Sequence, residues 1–180
     1  MLIRIGRPHE LPPLKTIHAD WPGYRHVLLT EQFLPLPPEV VFPFFADAAN
    51  LNLLTPPWLH FRILTRLPIS MCRDARIDYS IRLRIVPMRW QTSITTWNPP
   101  HGFVDQQVKG PYALWHHEHL FLPKDGGTLM TDRVDYALAL GSLWPTRAIH
   151  AAIVKPDLRR IFAYRRAAMD RHFGVQERPA

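Results

Sequence analysis

The chain has 180 residues, 47% of them hydrophobic, which is enough for one domain with a sizeable core. A single cysteine, Cys72, excludes an internal disulfide framework and a cysteine-rich zinc site, and no apolar run approaches the ~20 residues of a transmembrane helix. The net charge of +7 comes almost wholly from arginine and needs a reading of its own.

The arginines form two groups, Arg73, Arg76, Arg82, Arg84 and Arg89, then Arg159, Arg160, Arg165, Arg166 and Arg171. A nucleic-acid surface combines such a stripe with exposed aromatics or a binding motif. Neither is present, so the arginines read as solvated faces, with no nucleic-acid partner expected. An RNA- or protein-interaction module using those faces stays open as an alternative. The first nine residues hold no apolar stretch of signal-peptide length, and a lone thiol suits a reducing compartment. The expected protein is soluble and cytoplasmic.

Residues 1–25 are proline-rich (Pro8, Pro12, Pro13, Pro22) and show neither hydrophobic period, so an extended lead-in is expected there. Residues 26–34 read as a strand. Pro37-Pro38-Glu39 opens a short helix over 40–46, with Pro38 near the first turn, where a missing N–H costs little. A second short helical piece over 50–54 is stopped by Pro56-Pro57. Beyond Phe61 the period becomes two: Ile77, Tyr79, Ile81, Leu83 and Ile85 alternate with Asp78, Ser80, Arg82 and Arg84.

Further strands are predicted over 89–97, 102–109, 113–122 and 129–138, separated by Asn98-Pro-Pro-His-Gly102, Gly110-Pro111 and Asp125-Gly-Gly127. Connections this short imply an antiparallel meander. The last third is helical, with an apolar stripe of Ile149, Ile153, Leu158, Ile161, Phe162, Ala168, Met169 and Phe173, and Pro156 either kinks this helix or starts its second half. Residues 175–180 read as a disordered tail. One domain, 26–174, of α+β class follows: a curved antiparallel sheet around a long C-terminal helix, with a pocket wherever the sheet curls away from it.

Several blocks also resemble a known family. They are Asn50-Leu-Asn-Leu-Leu-Thr-Pro-Pro-Trp-Leu59, Trp97-Asn-Pro-Pro100, Phe103-Val-Asp-Gln-Gln107, Gly110-Pro-Tyr112, Leu114-Trp-His-His-Glu-His119, Asp132-Arg-Val-Asp-Tyr136 and Ile161-Phe-Ala-Tyr-Arg165. In this order they are similar to bacterial SRPBCC proteins of the START-like superfamily, over roughly His26 to Phe173. The resemblance implies a helix-grip fold with a deep hydrophobic cavity. Members of the superfamily carry lipids, polyketides, hormones or quinones, and some are cyclases or aromatases. The chain has Asp74 and Ile85 where the subgroup usually has glycine, so altered loops are expected at one end of the pocket.

The histidine-rich strand is where chemistry is expected. His117 and His119 share a face with Trp115 and Phe121, and His116 with Glu118 takes the other. On the next strand Met130, Asp132, Val134 and Tyr136 form the apolar-biased face, and Arg133 points away, toward a surface pair with Asp135 or Glu118. A two-residue Gly126-Gly127 loop sets His119 diagonal to Asp132; a four-residue loop sets them opposite. Three roles compete: a buried polar network, a ligand-orienting or acid–base pair, and a metal site of two histidines and a carboxylate. The last lacks an identifiable third fixed element, so no metal and no cofactor are expected.

Tyr79, Trp90, Trp115 and Tyr136 are candidate cavity walls, with core packing as the alternative. Gln107 and Tyr112 are candidate polar contacts, or backbone anchors at a bend. Thr55-Pro-Pro-Trp58 is expected to shape the pocket lip. No phosphate loop, nucleophile elbow or metalloprotease motif occurs. The functional expectation is binding or carriage of a small hydrophobic molecule, with a cyclase-, aromatase- or dehydratase-type enzyme as the alternative.

Overall fold

The sheet is built from its shortest connections outward. In the computed structural model, which describes residues 3–7, 25–139 and 144–174, strand β4 (Arg76–Leu83) turns through Arg84-Ile85 into β5 (Val86–Asn98). β5 returns as β6 (Gly102–Lys109), and β6 passes Gly110-Pro111 into β7 (Tyr112–Lys124). β7 and β8 (Gly127–Leu138) are joined by Asp125-Gly126, both at positive φ (48° and 77°), the twist a two-residue hairpin requires. The expected Gly126-Gly127 loop is therefore displaced by one residue, because Gly127 already pairs with Lys124. That shift sets His119 directly opposite Asp132.

β2 (His26–Leu34) pairs with the far side of β8, β1 (Ile3–Gly6) forms one edge, and β3 (Arg62–Ile63) forms the other. The eight strands run in the order β1-β2-β8-β7-β6-β5-β4-β3, every pair antiparallel. Part of the expected lead-in thus supplies an edge strand; residues 1–2 and 8–24, and the tail 175–180, lie outside the described residues.

Two short helices, α1 (Pro38–Ala46) and α2 (Leu51–Leu54), close one end of the sheet. α1 drives Val41, Phe42, Phe44 and Phe45 into the core. The covering layer is continuous: α3 (Trp144–Ile149), a π turn (His150–Val154) and α4 (Lys155–Phe173). Pro156 has no N–H for the carbonyl four residues back, and the expected kink or restart takes the form of this wider turn, with the Lys155 N–H bonded to the His150 carbonyl.

α4 buries Leu158, Phe162, Ala168, Met169 and Phe173. Ile149 and Ile153 leave the expected stripe and are exposed, as is Ile85, which is 88% exposed in the β4–β5 turn. At the two positions where glycine was missed, Asp74 itself takes positive φ (67°), whereas at the second turn Arg84 does so (57°) in place of Ile85. Two arginines also depart from expectation. Arg133 does pair with Asp135 (Nε to Oδ2, 2.8 Å), but the pair is buried, not on the surface. Arg165 turns inward from α4 toward Asp132 instead of joining the solvated face.

The buried apolar residues form two clusters. One joins α1 to Phe121, Met130, Met169 and Phe173; the other joins Leu28, Val134 and Tyr136 to Leu158 and Phe162. Asp132 lies between Met130 and Val134 along β8, and Arg165 between Phe162 and Met169 along α4. A polar layer therefore separates two halves of the core.

Candidate functional site

Between the concave sheet and α4 lies a cavity of about 190 Å³. Its walls are apolar, with Ile77, Ile81 and Leu83 from β4 and Leu158, Ile161 and Phe162 from α4. Tyr79 and Trp90 stack across β4 and β5 (centroids 5.9 Å apart), and both are tied to Thr92 Oγ1, the Tyr79 hydroxyl at 3.2 Å and the indole N–H at 3.1 Å. Burial pushes the Tyr79 phenol up, so it is a neutral hydroxyl. Thr55 reaches the lining as part of the lip, while Trp58 lies half outside under the Arg160 guanidinium.

The polar groups of the lining concentrate where β6 and β7 meet. Asp105 pairs across the ladder with His117, and Phe103 with His119. Alternation brings Asp105, His117 and His119 to the concave face, and the His119 ring stacks on Phe103 with centroids 4.2 Å apart. His119 Nδ1 stands 2.6 Å from Asp132 Oδ1, and its Nε2 stands 2.9 Å from Asp105 Oδ2. His117 repeats the pattern at 3.3 Å to each carboxylate, although its Nε2 lacks hydrogen-bond alignment with Asp132. Arg165 Nε approaches the other Asp132 oxygen at 3.3 Å, again without alignment.

These contacts decide the charges. Burial opposes ionisation of Asp132, but the Arg165 guanidinium, then His119, hold its carboxyl well below the usual range. Burial opposes ionisation of Asp105 as well; the neighbouring His117 outweighs it and lowers that carboxyl too. For His117, burial favours the neutral ring, yet Asp105 and then Asp132 raise its affinity for a proton. The result is a pair of buried anions with two imidazoles between them.

Of the residues singled out in the sequence, Tyr79, Trp90, Tyr112, Trp115, His117 and His119 line the cavity. Gln107, Asp132 and Tyr136 do not. Gln107 bridges the β6–β7 bend, its Nε2 donating to the Tyr112 carbonyl at 2.6 Å while its Oε1 accepts from the Tyr112 N–H at 3.3 Å. Tyr136 is fully buried and bonded to His150 Nε2 at 2.8 Å. Asp132 stands behind the histidines and orients them. Asp105, Thr92 and Arg165 were missed, although Arg165 falls in helical phase with Leu158, Phe162 and Met169.

A family model described as "Polyketide cyclase / dehydrase and lipid transport" matches residues 34–160. The chain belongs to this family. No curated protein matches it closely enough to establish kinship. Among solved structures it is similar to CV1439 from Chromobacterium violaceum, with 12% identity, TM-score 0.62, and coverage of 83% of this chain and 99% of that one. It is likewise similar to Ms6760 from Mycobacterium smegmatis, with 15% identity, TM-score 0.60 and coverage of 83% and 91%. TTHA0849 from Thermus thermophilus gives 16%, 0.60, 84% and 99%.

At these identities the likeness is one of fold, the START-like helix grip. Membership of the polyketide cyclase and lipid transport family supports hydrophobic ligand binding in general. No helix among the described residues is long and apolar enough to cross a membrane.

Proposed function

We propose that the protein binds and carries a small, mostly apolar molecule of one or two rings, its single polar group set against Asp105, His117 and Tyr79. The observation that carries this reading is the make-up of the cavity, mostly hydrocarbon walls on β4 and α4 with the Asp105, His117 and His119 cluster on β6 and β7 and the Tyr79 hydroxyl added from β4. Such a make-up both binds and orients. Size narrows the ligand class. An apolar hole of about 150 Å³ holds benzene, and this cavity is about 190 Å³. Sites for drug-sized ligands start near ~300 Å³. A longer lipid or polyketide therefore enters only if α4 and the α2 lip move apart or its tail protrudes.

Native mass spectrometry of freshly purified protein is expected to show a fraction carrying one small non-covalent adduct. Titration with a two-ring fluorescent dye, 1-naphthol, is expected to give one saturable site per folded chain. Protein free of any adduct that also fails to bind the dye would end the carrier reading.

A second reading is favoured by one specific contact set, the imidazole of His119 held between two carboxylates in an apolar cavity. Histidine and carboxylate in a desolvated cleft are suited to proton transfer during a cyclisation or dehydration. Turnover of the co-purified compound separates the two: a carrier returns it unchanged.

A further inference from the structure

We infer that Asp105, His117 and His119 form a binding site for one divalent transition-metal ion, zinc foremost, at the polar end of the cavity. The donors available are Asp105 Oδ2, one ring nitrogen of His117 and one of His119, all within 4.8 Å of one another. Asp105 Oδ2 lies 2.9 Å from His119 Nε2 and 3.3 Å from His117 Nδ1. Ligands that share one ion at zinc's usual bond lengths stand roughly 2.9–3.4 Å apart. Both pairs with Asp105 meet that spacing, and the two histidine donors, within 4.8 Å of each other, need only a small ring rotation to join them. Two imidazoles and one carboxylate are also a donor set that borderline metals take and that magnesium and calcium do not.

Proton accounting points the same way. Each imidazole turns one nitrogen toward Asp132 and the other toward Asp105, so four ring nitrogens face carboxylate oxygens. Neutral imidazoles own only two N–H groups. If His119 donates from Nδ1 to Asp132, its Nε2 lone pair meets the Asp105 oxygen at 2.9 Å with nothing positive between them. Protonating both rings supplies the missing hydrogens but sets two cations side by side, ring centroids 3.8 Å apart and planes tilted by 44°, in a buried place. Protonating His119 alone leaves neutral His117 with one N–H for two carboxylates, so one of its lone pairs still faces a carboxylate oxygen at 3.3 Å.

A metal ion resolves this with both rings neutral. His119 Nδ1–H and His117 Nε2–H face Asp132, while His119 Nε2, His117 Nδ1 and Asp105 Oδ2 converge on the ion. Asp132 then supports both ligands from behind, as carboxylates do for metal-bound histidines, and Arg165 holds Asp132. From sequence, the carboxylate beside the two histidines was Asp132, with no third fixed element; Asp105, opposite His117 on β6, takes the carboxylate's place as ligand and brings in that further strand.

All three ligands line the cavity, so the remaining coordination position faces bound molecules. Its use rests on the carrier reading above: an anionic oxygen of the ligand coordinates there.

The test uses tag-free protein stripped with chelator and titrated with Co²⁺ as a visible probe, then with Zn²⁺ in competition. One Co²⁺ per chain is expected, with the d–d absorption of a four- or five-coordinate site, displaced by Zn²⁺. Asp105→Asn and His117→Gln should each weaken binding at least as much as the about 10–100-fold expected for Asp132→Asn. His150→Gln should leave it unchanged, which excludes uptake by the other buried histidine. Histidine ¹⁵N spectra of the wild-type chain, read before and after Zn²⁺, need no variant to fold: His117 Nδ1 and His119 Nε2 should shift.

Absence of saturable Co²⁺ uptake by folded wild-type protein would overturn the site, as would uptake indifferent to Asp105→Asn or unmoved ¹⁵N signals. Dye binding is measured in parallel with and without Zn²⁺. Dye binding without metal uptake sinks the metal site alone; metal uptake without dye binding sinks the carrier reading and leaves the site standing.

Discussion

Asp132 is 1% exposed and yet ionised, because Arg165 and the two histidines replace the water it has lost. Asp132→Asn keeps the shape and removes the charge, so His119 and Arg165 lose their shared counter-ion. A loss of about 1–3 kcal/mol is expected from urea denaturation. Because Asp132 does not line the cavity, affinity of the metal-free protein for the dye should change less than twofold. An unchanged midpoint would show that the cluster is not held together by this carboxylate.

His150 gives a separate, pH-dependent reading. Burial first, then the Lys155 charge, lower its pKa from 6.5 to about 4. As a neutral ring it accepts the Tyr136 hydroxyl, and it stacks on His26 with centroids 3.5 Å apart. The unfolded chain takes up the proton first as pH falls. The stability His150 contributes is therefore complete above pH 6.5 and is lost between about 6.5 and 4. His150→Gln keeps an acceptor for Tyr136 and should flatten that part of a stability–pH curve; an unaltered slope would place the dependence elsewhere.

At this scale strand alternation and a loop of even length put His117, His119 and Asp132 on one face. Asp105 escaped because Ala113 forms a bulge: β7–β8 pairing moves from Tyr112↔Leu138 to Leu114↔Ala137. A regular two-residue turn at Gly110-Pro111 would set Asp105 opposite His116. The shift of one residue gives it His117 instead, and nothing in the local sequence announces that slip.

Among the elements, α4 carries the greatest weight, since it is the layer that covers the concave face. Phe162 is 6% exposed and packs on Leu158, Val134 and the His117 ring. Phe162→Asp places an unpaired charge there, at a cost of several kcal/mol, comparable with the whole stability of a small domain. Ile161 is only half-buried, so Ile161→Asp should cost distinctly less. Melting curves for the pair test the face assignment: equal stabilities, or a Phe162→Asp chain as stable as wild type, would refute it. The helix and the strands themselves were legible because their periods extend over many residues. Ile149, Ile153 and Ile85 misled because a period records only residue type. A π turn rotates the first two away from the core, and a two-residue turn lifts the third out of the strand.

For the molecule as a whole, order of elements implied the helix grip, and short turns implied the meander. The cavity was legible only as a possibility, because volume depends on how far a sheet curls, which no residue pattern states. Its existence is the premise of the functional reading and can be tested by filling it. Ile81 is 8% exposed on β4 and its side chain borders the space. Ile81→Trp directs an indole into a hole whose walls lack contact partners on the inner side. Filling such a void gains dispersion contacts and removes hydrophobic surface from the cavity, so stability should hold or rise. The dye, competing for the same space, should bind at least about tenfold more weakly, equivalent to about 1.4 kcal/mol. The Asp105, His117 and His119 cluster lies on strands β6 and β7, separated from β4 by β5, so Co²⁺ uptake should survive the same substitution. Unweakened dye binding by a folded Ile81→Trp chain would mean that apolar molecules bind elsewhere on the surface and that this cavity is only a packing gap.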